Sequence, residues 1–222
     1  MSARPGGDDI SALDGIVQVS RETAERLQAF VALLRKWQPA ENLISPKTLG
    51  EVWRRHVADS AELVRLFPQT LRWLDIGTGA GFPGLVVAIL GGPGTHVDLI
   101  ESNVRKCAFL RAAIRETGAP ATVHKGRAEM LLAAWDTKVD RLVARAVAPL
   151  GRLLELAEPI MVRGVPAAFH KGAEFAAEID EASHSFDFDL IEHASRVGEG
   201  VILEIANLRR KPRQASLTSS IS

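Results

Sequence analysis

The segment LRWLDIGTGAGFPG constrains this chain more than any other, because an apolar, strand-like run breaks there into a turn carrying Gly77, Gly79, Gly81 and Gly84. Glycine has no Cβ, so a turn this rich in it reverses sharply and lets the backbone approach a ligand unobstructed. Pro83 suits the first turn of a following helix, where its missing N–H costs no intrahelical bond. Strand, glycine turn and helix in that order begin a parallel βαβ unit. In open α/β sheets of this kind, ligands bind in the crevice at the carboxyl ends of the strands, against helix N-termini.

The rest of the chain keeps the same rhythm. Short apolar runs predict strands near 71–77, 95–101, 120–125, 139–145 and 164–170, alternating with helices at 82–90, 103–117, 127–135, 148–158 and 173–184. Two more strands, at 187–194 and 200–207, are separated only by the turn from Gly198 to Gly200. A parallel crossover needs about a dozen residues or more, so these two form an antiparallel hairpin. The expected fold class is α/β: a seven-stranded, mostly parallel sheet with its last strand reversed, flanked by helices. With 46% hydrophobic residues over 222 positions the chain buries such a core without staples.

Upstream lies a helical extension. Ala24, Leu27, Phe30, Val31 and Leu34 recur at helical spacing within 19–37, with Arg21, Glu22, Glu25 and Gln28 on the other side. A second helix is expected after Pro46, opened by a capping box of Thr48 and Glu51 and closed by Pro68. The organisation predicted is a flexible start at 1–18, the extension at 19–68, the α/β domain at 69–208 and a flexible basic tail at 209–222; residues 1–16 and the final QASLTSSIS are expected to fray.

Two acids sharpen the identity of the ligand. Glu101 ends the strand VDLIE, where a carboxylate can accept both hydroxyls of a ribose. Asp75 precedes the first glycine; it would oppose a pyrophosphate but can accept from an ammonium, directly or through water. Counted from Gly77 the glycines are spaced G-x-G-x-G, not as the dinucleotide fingerprint G-x-G-x-x-G. S-adenosylmethionine has a ribose and an ammonium and no phosphate, and is the expected cofactor. Further along, GRAEM at 126–130 is either a loop flanking an adenine or a plain helix start, and Arg145 at a strand end is either a cleft residue or a surface charge.

Charge and cysteine content exclude other classes. Twenty-seven basic residues balance twenty-seven acidic ones, so any nucleic-acid surface has to be local; Arg54 with Arg55, and Arg209, Arg210, Lys211 with Arg213, are candidates or simply solvated faces. The single cysteine, Cys107, reads as a small buried hydrophobe and forms no internal disulfide. Without a secretory signal or long uncharged apolar run, the chain reads as cytoplasmic with no membrane role, and no His or Cys cluster suggests a metal.

The ordered set NLIS (residues 42–45), RHVADS (55–60), LDIGTGAGFPG, GRAE, ARA (144–146) and KG (171–172) resembles the RsmG family, also called glucose-inhibited division protein B, of bacterial 16S ribosomal RNA guanine-N7 methyltransferases. The likeness spans roughly 27–175 and fades beyond Gly172, with Asn207 near a position where the family commonly carries a basic residue. It implies a Rossmann-like class I methyltransferase fold with an N-terminal helical extension, acting on a guanine in the decoding region of the small ribosomal subunit or an assembly intermediate; the chain is expected to act as a monomer. By matching motif, Gly77 and Phe82 contact the cofactor, Ala128 and Glu129 flank its adenine, and Arg145 lines the cofactor or substrate pocket. Asp75, Gly79, Gly81 and Glu101 join them on the argument above. His56, Asp59 and Ser60 either shape the pocket or make buried helix-end contacts. Lys171 is a pocket or RNA-phosphate residue, or a solvated lysine.

Such chemistry asks little of side chains. The N7 of neutral guanine already exposes a lone pair, so proximity and electrostatics suffice without a general base. The chain has no D/N-P-P-Y/F segment after the fourth strand to hold an exocyclic amine, and no Pro-Cys nucleophile. Two other readings stand beside this one: a methyltransferase of the same fold acting on another RNA site or a small molecule, and a cofactor-binding module without catalysis. A nicotinamide oxidoreductase is disfavoured by the glycine spacing.

Overall fold

The structure, a computed structural model, describes residues 8–198 and 200–212. Seven strands, β1 Arg72–Ile76, β2 His96–Glu101, β3 Ala121–Lys125, β4 Arg141–Arg145, β5 Ala167–Lys171, β6 Phe186–Ala194 and β7 Val201–Arg210, form one sheet in the order β3-β2-β1-β4-β5-β7-β6. The pairs β1/β2, β2/β3, β1/β4 and β4/β5 are parallel, and β7 runs antiparallel to both β5 and β6. The reversed last strand follows from the short hairpin, as expected.

Alternating side chains divide the core into two layers. Trp73, Val97, Val143 and Ala168 face α1 (Arg21–Glu41), α2 (Asp59–Leu66), α3 (Gly84–Leu90) and α4 (Val104–Thr117). Leu74, Ile100, Ala144 and Phe169 face α5 (Ala128–Ala133), α6 (Leu150–Met161) and α7 (Phe175–Ser183). Cys107 is fully buried, its Sγ donating to the Glu101 carbonyl at 3.3 Å, and burial pushes its thiol pKa up.

The helical extension departs from the sequence pattern in three places. α1 starts at Arg21 under a Ser20 cap and continues past Pro39 to Glu41, because Asn42 closes it in the left-handed conformation at φ 44°. The second helix is not continuous: a 3-10 helix Pro46–Glu51 is followed by a π-helix Trp53–Ala58, which leads into α2. The capping box does not form, since Ser45 accepts from Lys47 N while the Thr48 hydroxyl donates to the Ser45 carbonyl at 3.0 Å. Residues 8–14, expected to fray, are instead built into the fold. Ile10–Leu13 form a 3-10 helix, Leu13 is 1% exposed, and Asp8 Oδ1 accepts from Trp53 N at 2.8 Å and Arg54 N at 3.2 Å.

At the other end, β7 extends to Arg210 because Arg210 lies opposite Phe186 in the hairpin and its guanidinium pairs with Glu158. Lys211 Nζ donates to the Ser183 carbonyl at 2.7 Å, so the basic run to this point belongs to the sheet and its flank. Residues 1–7 and 213–222, including Arg213 and the rest of the expected tail, lie outside the described residues. Asn207 adopts φ 53° and donates to Asp189, close to an irregularity in the β6/β7 pairing.

Candidate functional site

The strand order turns back at β1 and β4, and there the loops leaving the two strands part to open a cleft. It encloses about 1220 Å³. Gly77, Gly79, Phe82 and Glu101 line one side, Arg145 and Val147 the middle, and His170 and Lys171 the other. The 3-10 and π segments of the extension form the facing wall through Thr48, Arg54, Arg55 and His56, and the start of α2 adds Asp59.

Glu101 organises the first side. One carboxylate oxygen accepts from Gly79 N at 3.0 Å and the other from Asn103 N at 2.7 Å, so the acid ties the glycine turn to the start of α4. Each oxygen keeps a further lone pair, the requirement for gripping a diol. Gly77 and Gly79 hold φ of 66° and 59°. A methyl group on Gly77 would stand 2.9 Å from Val147 Cγ2, while one on Gly79 would meet only the Gly77 carbonyl at 3.9 Å, so the backbone there is bare toward the cleft. These features fit the ribose and the amino-acid portion of S-adenosylmethionine.

Asp75 and Gly81 lie beneath this surface. Asp75 is fully buried, so direct contact with a ligand ammonium is closed to it; Oδ2 accepts from Gly84 N at 2.8 Å and Oδ1 has no partner. Burial pushes its carboxyl up to about 7, against the pull of Thr78, the Gly84 N–H and Arg145. Gly79, Gly81 and Gly84 do spell G-x-G-x-x-G, but the helix they lead to begins at Gly84 and is already held by this carboxylate, which leaves no anion cradle. Pro83 therefore stands at the cap position, one residue earlier than the sequence suggested. Gly81 serves packing, since an added methyl would lie 2.9 Å from Leu85 Cβ and 3.2 Å from Leu110 Cδ2. Ala128 and Glu129 open α5 outside the cleft, where Glu129 pairs with Arg152 at 3.0 Å. Their loop nevertheless touches Glu101, whose carbonyl accepts from Gly126 N at 3.0 Å.

Arg145 is the centre of the other half. Its Nη1 donates to the Arg55 carbonyl at 3.0 Å and to Asp59 Oδ2 at 3.3 Å, and its Nη2 lies 2.7 Å from His56 Nδ1. The guanidinium stands 5.2 Å from the centre of the Phe82 ring, against which the His56 ring stacks at 5.0 Å. Phe82 in turn packs on Phe30 of α1 at 5.3 Å, so the extension carries the glycine turn and Arg145 together. Burial and the charge of Arg145 hold His56 down to about 3, and burial also lowers His170 and Arg145. Ser60 reaches only the His56 carbonyl, at 2.6 Å.

Lys171 lines the cleft, yet its ammonium donates to the Ala148 carbonyl at 2.9 Å and pairs with Glu178, whose Oε2 accepts from Leu150 N at 2.6 Å. It therefore braces the loop after β4, in which Ala146 holds φ 55°, a strained position for a residue with a Cβ.

Sequence reasoning missed His170, Thr48 and Val147. His170 was legible in principle: it is one residue from Lys171, opposite Arg145 in the β4/β5 register, and on the same face. Thr48 comes to the cleft on the 3-10 segment and Val147 on the loop after β4, paths that no periodicity encodes. Arg54 and Lys106 bring further positive charge to the lining of the cleft.

The model of a family described as rRNA small subunit methyltransferase G matches residues 23–200. The chain is 50% identical over 177 residues to a ribosomal RNA small subunit methyltransferase G of Methylorubrum populi, covering 78% of this chain and 83% of that protein. It is 48% identical over 199 residues to the protein of the same name from Brucella canis, covering 87% and 92%. Among solved structures, a putative O-methyltransferase from Klebsiella pneumoniae superposes with a TM-score of 0.56 at 16% identity, over 90% of this chain and 96% of that one, a likeness of fold.

Proposed function

Because the chain belongs to the rRNA small subunit methyltransferase G family, we propose that it methylates the N7 of a guanine in the decoding-region loop of 16S ribosomal RNA, with S-adenosylmethionine as donor. The observation that carries the N7 reading is how the basic nitrogens around Arg145 are committed. His56 Nδ1 lies against Arg145, His56 Nε2 against Thr48 Oγ1 at 2.9 Å, and His170 Nε2 donates to the Asp59 carbonyl at 3.0 Å, while His170 Nδ1 has no partner but is buried out of reach of a ligand's proton. An acceptor that had to lose a proton before attack would need one of them both free and exposed; N7 does not.

When bound, S-adenosylmethionine supplies a methyl group electrophilic enough for a neutral lone pair. Glu101 would accept the ribose hydroxyls, and the backbone of Gly77 and Gly79 would hold the amino-acid end beside Phe82. Ala128 and Glu129, which begin α5 directly after the loop that meets Glu101 through Gly126, would flank an adenine reaching past the edge of the cleft. Asp75 and Gly81 shape the turn from below. Arg145, its charge offset by Asp59, would hold the guanine with the N–H groups its protein partners leave over, and Lys171 would act through the loop after β4. The proposal takes the enzyme to act as a monomer.

Arg54 and Lys106, which line the cleft, would take RNA phosphates beside an unstacked base, the form in which RNA exposes its edges. The substrate is then naked small-subunit RNA or an assembly intermediate, in the cytoplasm. No helix among the described residues is long and apolar enough to cross a membrane.

The test compares small-subunit RNA from cells with and without this gene, by primer extension after borohydride reduction and aniline cleavage at N7-methylguanosine. A stop present only in cells carrying the gene is expected. An identical pattern in both would sink the N7 assignment.

A further inference from the structure

Arg145 offers five N–H groups in a fixed plane, and the protein holds three of them. All three partners come from one stretch of the extension: the carbonyl of Arg55, the ring of His56 and the carboxylate of Asp59. That stretch runs from within the π-helix Trp53–Ala58, a wide turn found frequently at functional sites, into the first residue of α2.

The direction of each hydrogen bond through His56 follows from its neighbours. A guanidinium only donates, so Nδ1 must present its lone pair to Arg145 at 2.7 Å. The ring proton is then on Nε2 and is donated to Thr48 Oγ1 at 2.9 Å, and the Thr48 hydroxyl passes its own proton to the Ser45 carbonyl at 3.0 Å. The chain from Arg145 to Ser45 is complete in one direction only, which fixes the tautomer. Docking the extension against Phe82 would need just a flat ring at this position; the oriented acceptor is an additional feature.

We propose that His56 is a positioning residue for methyl transfer, which acts through Arg145: its Nδ1 lone pair, oriented by Thr48, fixes the guanidinium and thereby determines which N–H groups remain for the base. The proposal rests on the reading of Arg145 as the residue that holds the guanine.

Two substitutions separate the acceptor from the ring. His56→Phe keeps the stack on Phe82 and removes the lone pair, whereas His56→Asn keeps an acceptor near Nδ1 and loses the stack. Methyl transfer to purified small-subunit RNA, with kcat and the KM for each substrate, is measured beside thermal melting. His56→Phe is expected to lower kcat about tenfold to hundredfold, the scale of a small misplacement of a reacting group, with little change in KM for S-adenosylmethionine. His56→Asn is expected to recover most of that loss even where it melts earlier. Equal activity in the two variants, or losses that simply track melting, would overturn the proposal.

Should either variant fail to fold, Thr48→Val and Thr48→Ser give the same contrast farther from Arg145. The valine should reduce kcat by roughly threefold or more, since only the hydroxyl orients Nε2, and the serine should restore it. Valine and serine variants of equal activity count against the relay. Arg145→Ala is the control for the underlying reading: if it methylates at the wild-type rate, Arg145 has no role and the proposal goes with it. If Arg145→Ala is inactive while His56→Phe is fully active, the proposal alone is refuted.

Discussion

His170 and Lys171 are consecutive and leave β5 on opposite faces of the sheet: His170 Nε2 donates to the Asp59 carbonyl at 3.0 Å, while Lys171 Nζ meets the Ala148 carbonyl and Glu178. The Lys171 side chain is 6% exposed and that of Glu178 25%. A lysine so enclosed braces a loop; a phosphate ligand would be solvated. Lys171→Met should cost about 2–3 kcal/mol, somewhat less than a fully buried pair because Glu178 is partly hydrated. A solvated lysine would change stability by no more than about 0.5 kcal/mol. Urea unfolding distinguishes the two, and Lys171→Met/Glu178→Leu should regain at least half the loss.

Asp75 gives the fold a pH dependence. Burial raises its carboxyl from 3.8 to about 7, so the folded chain binds this proton more tightly than the unfolded one. Its contribution to stability is complete below about pH 4 and is lost as pH rises through about 7. Asp75→Asn keeps an acceptor for Gly84 N and does not ionise. Relative to the parent, the variant should gain stability between pH 5 and pH 8, on the order of a few kcal/mol. Urea midpoints of the two proteins that stay parallel across that range would exclude an ionising Asp75.

How far the sequence carried this picture depends on the range of the forces involved. The seven strands were legible because glycine and proline punctuate them, and the reversal of β7 because the six residues between Ala194 and Val201 cannot make a crossover. Glu101 was legible as an acid at a strand end. Asp75 was recognised as important but its direction was not, since only the assembled sheet shows it turned under Gly84. The break at residues 46–58 was invisible because distant partners hold it: Asp8 caps the π-helix across 45 positions and Arg145 grips His56 across 89. No local periodicity reports such contacts.

Glu101 holds two backbone N–H groups and, on the proposed reading, two ribose hydroxyls. Hydrogen bonds to a charged group contribute about 1.5–3 kcal/mol each. Glu101→Ala should therefore weaken S-adenosylmethionine binding by at least about tenfold, and Glu101→Gln by less, since its amide keeps one acceptor. Calorimetric titration of the purified variants reads both. Undiminished affinity in the alanine variant would remove Glu101 from the cofactor site.

Gly77 separates strain from obstruction. Alanine there must adopt φ near 66°, at a cost of about 1–2 kcal/mol, and its methyl group would lie 2.9 Å from Val147 Cγ2. Val147 belongs to the cleft wall and to the loop that Ala146 strains, so it gives way more readily than a core residue, and in moving it disturbs the pocket. Gly77→Ala should thus lose methyl transfer by more than its stability loss explains. Adding Val147→Ala removes the collision but leaves the strained φ. The double variant should recover activity while its urea midpoint stays near that of Gly77→Ala. If activity and midpoint recover together, or neither does, Val147 is not the element through which this glycine keeps the cleft open.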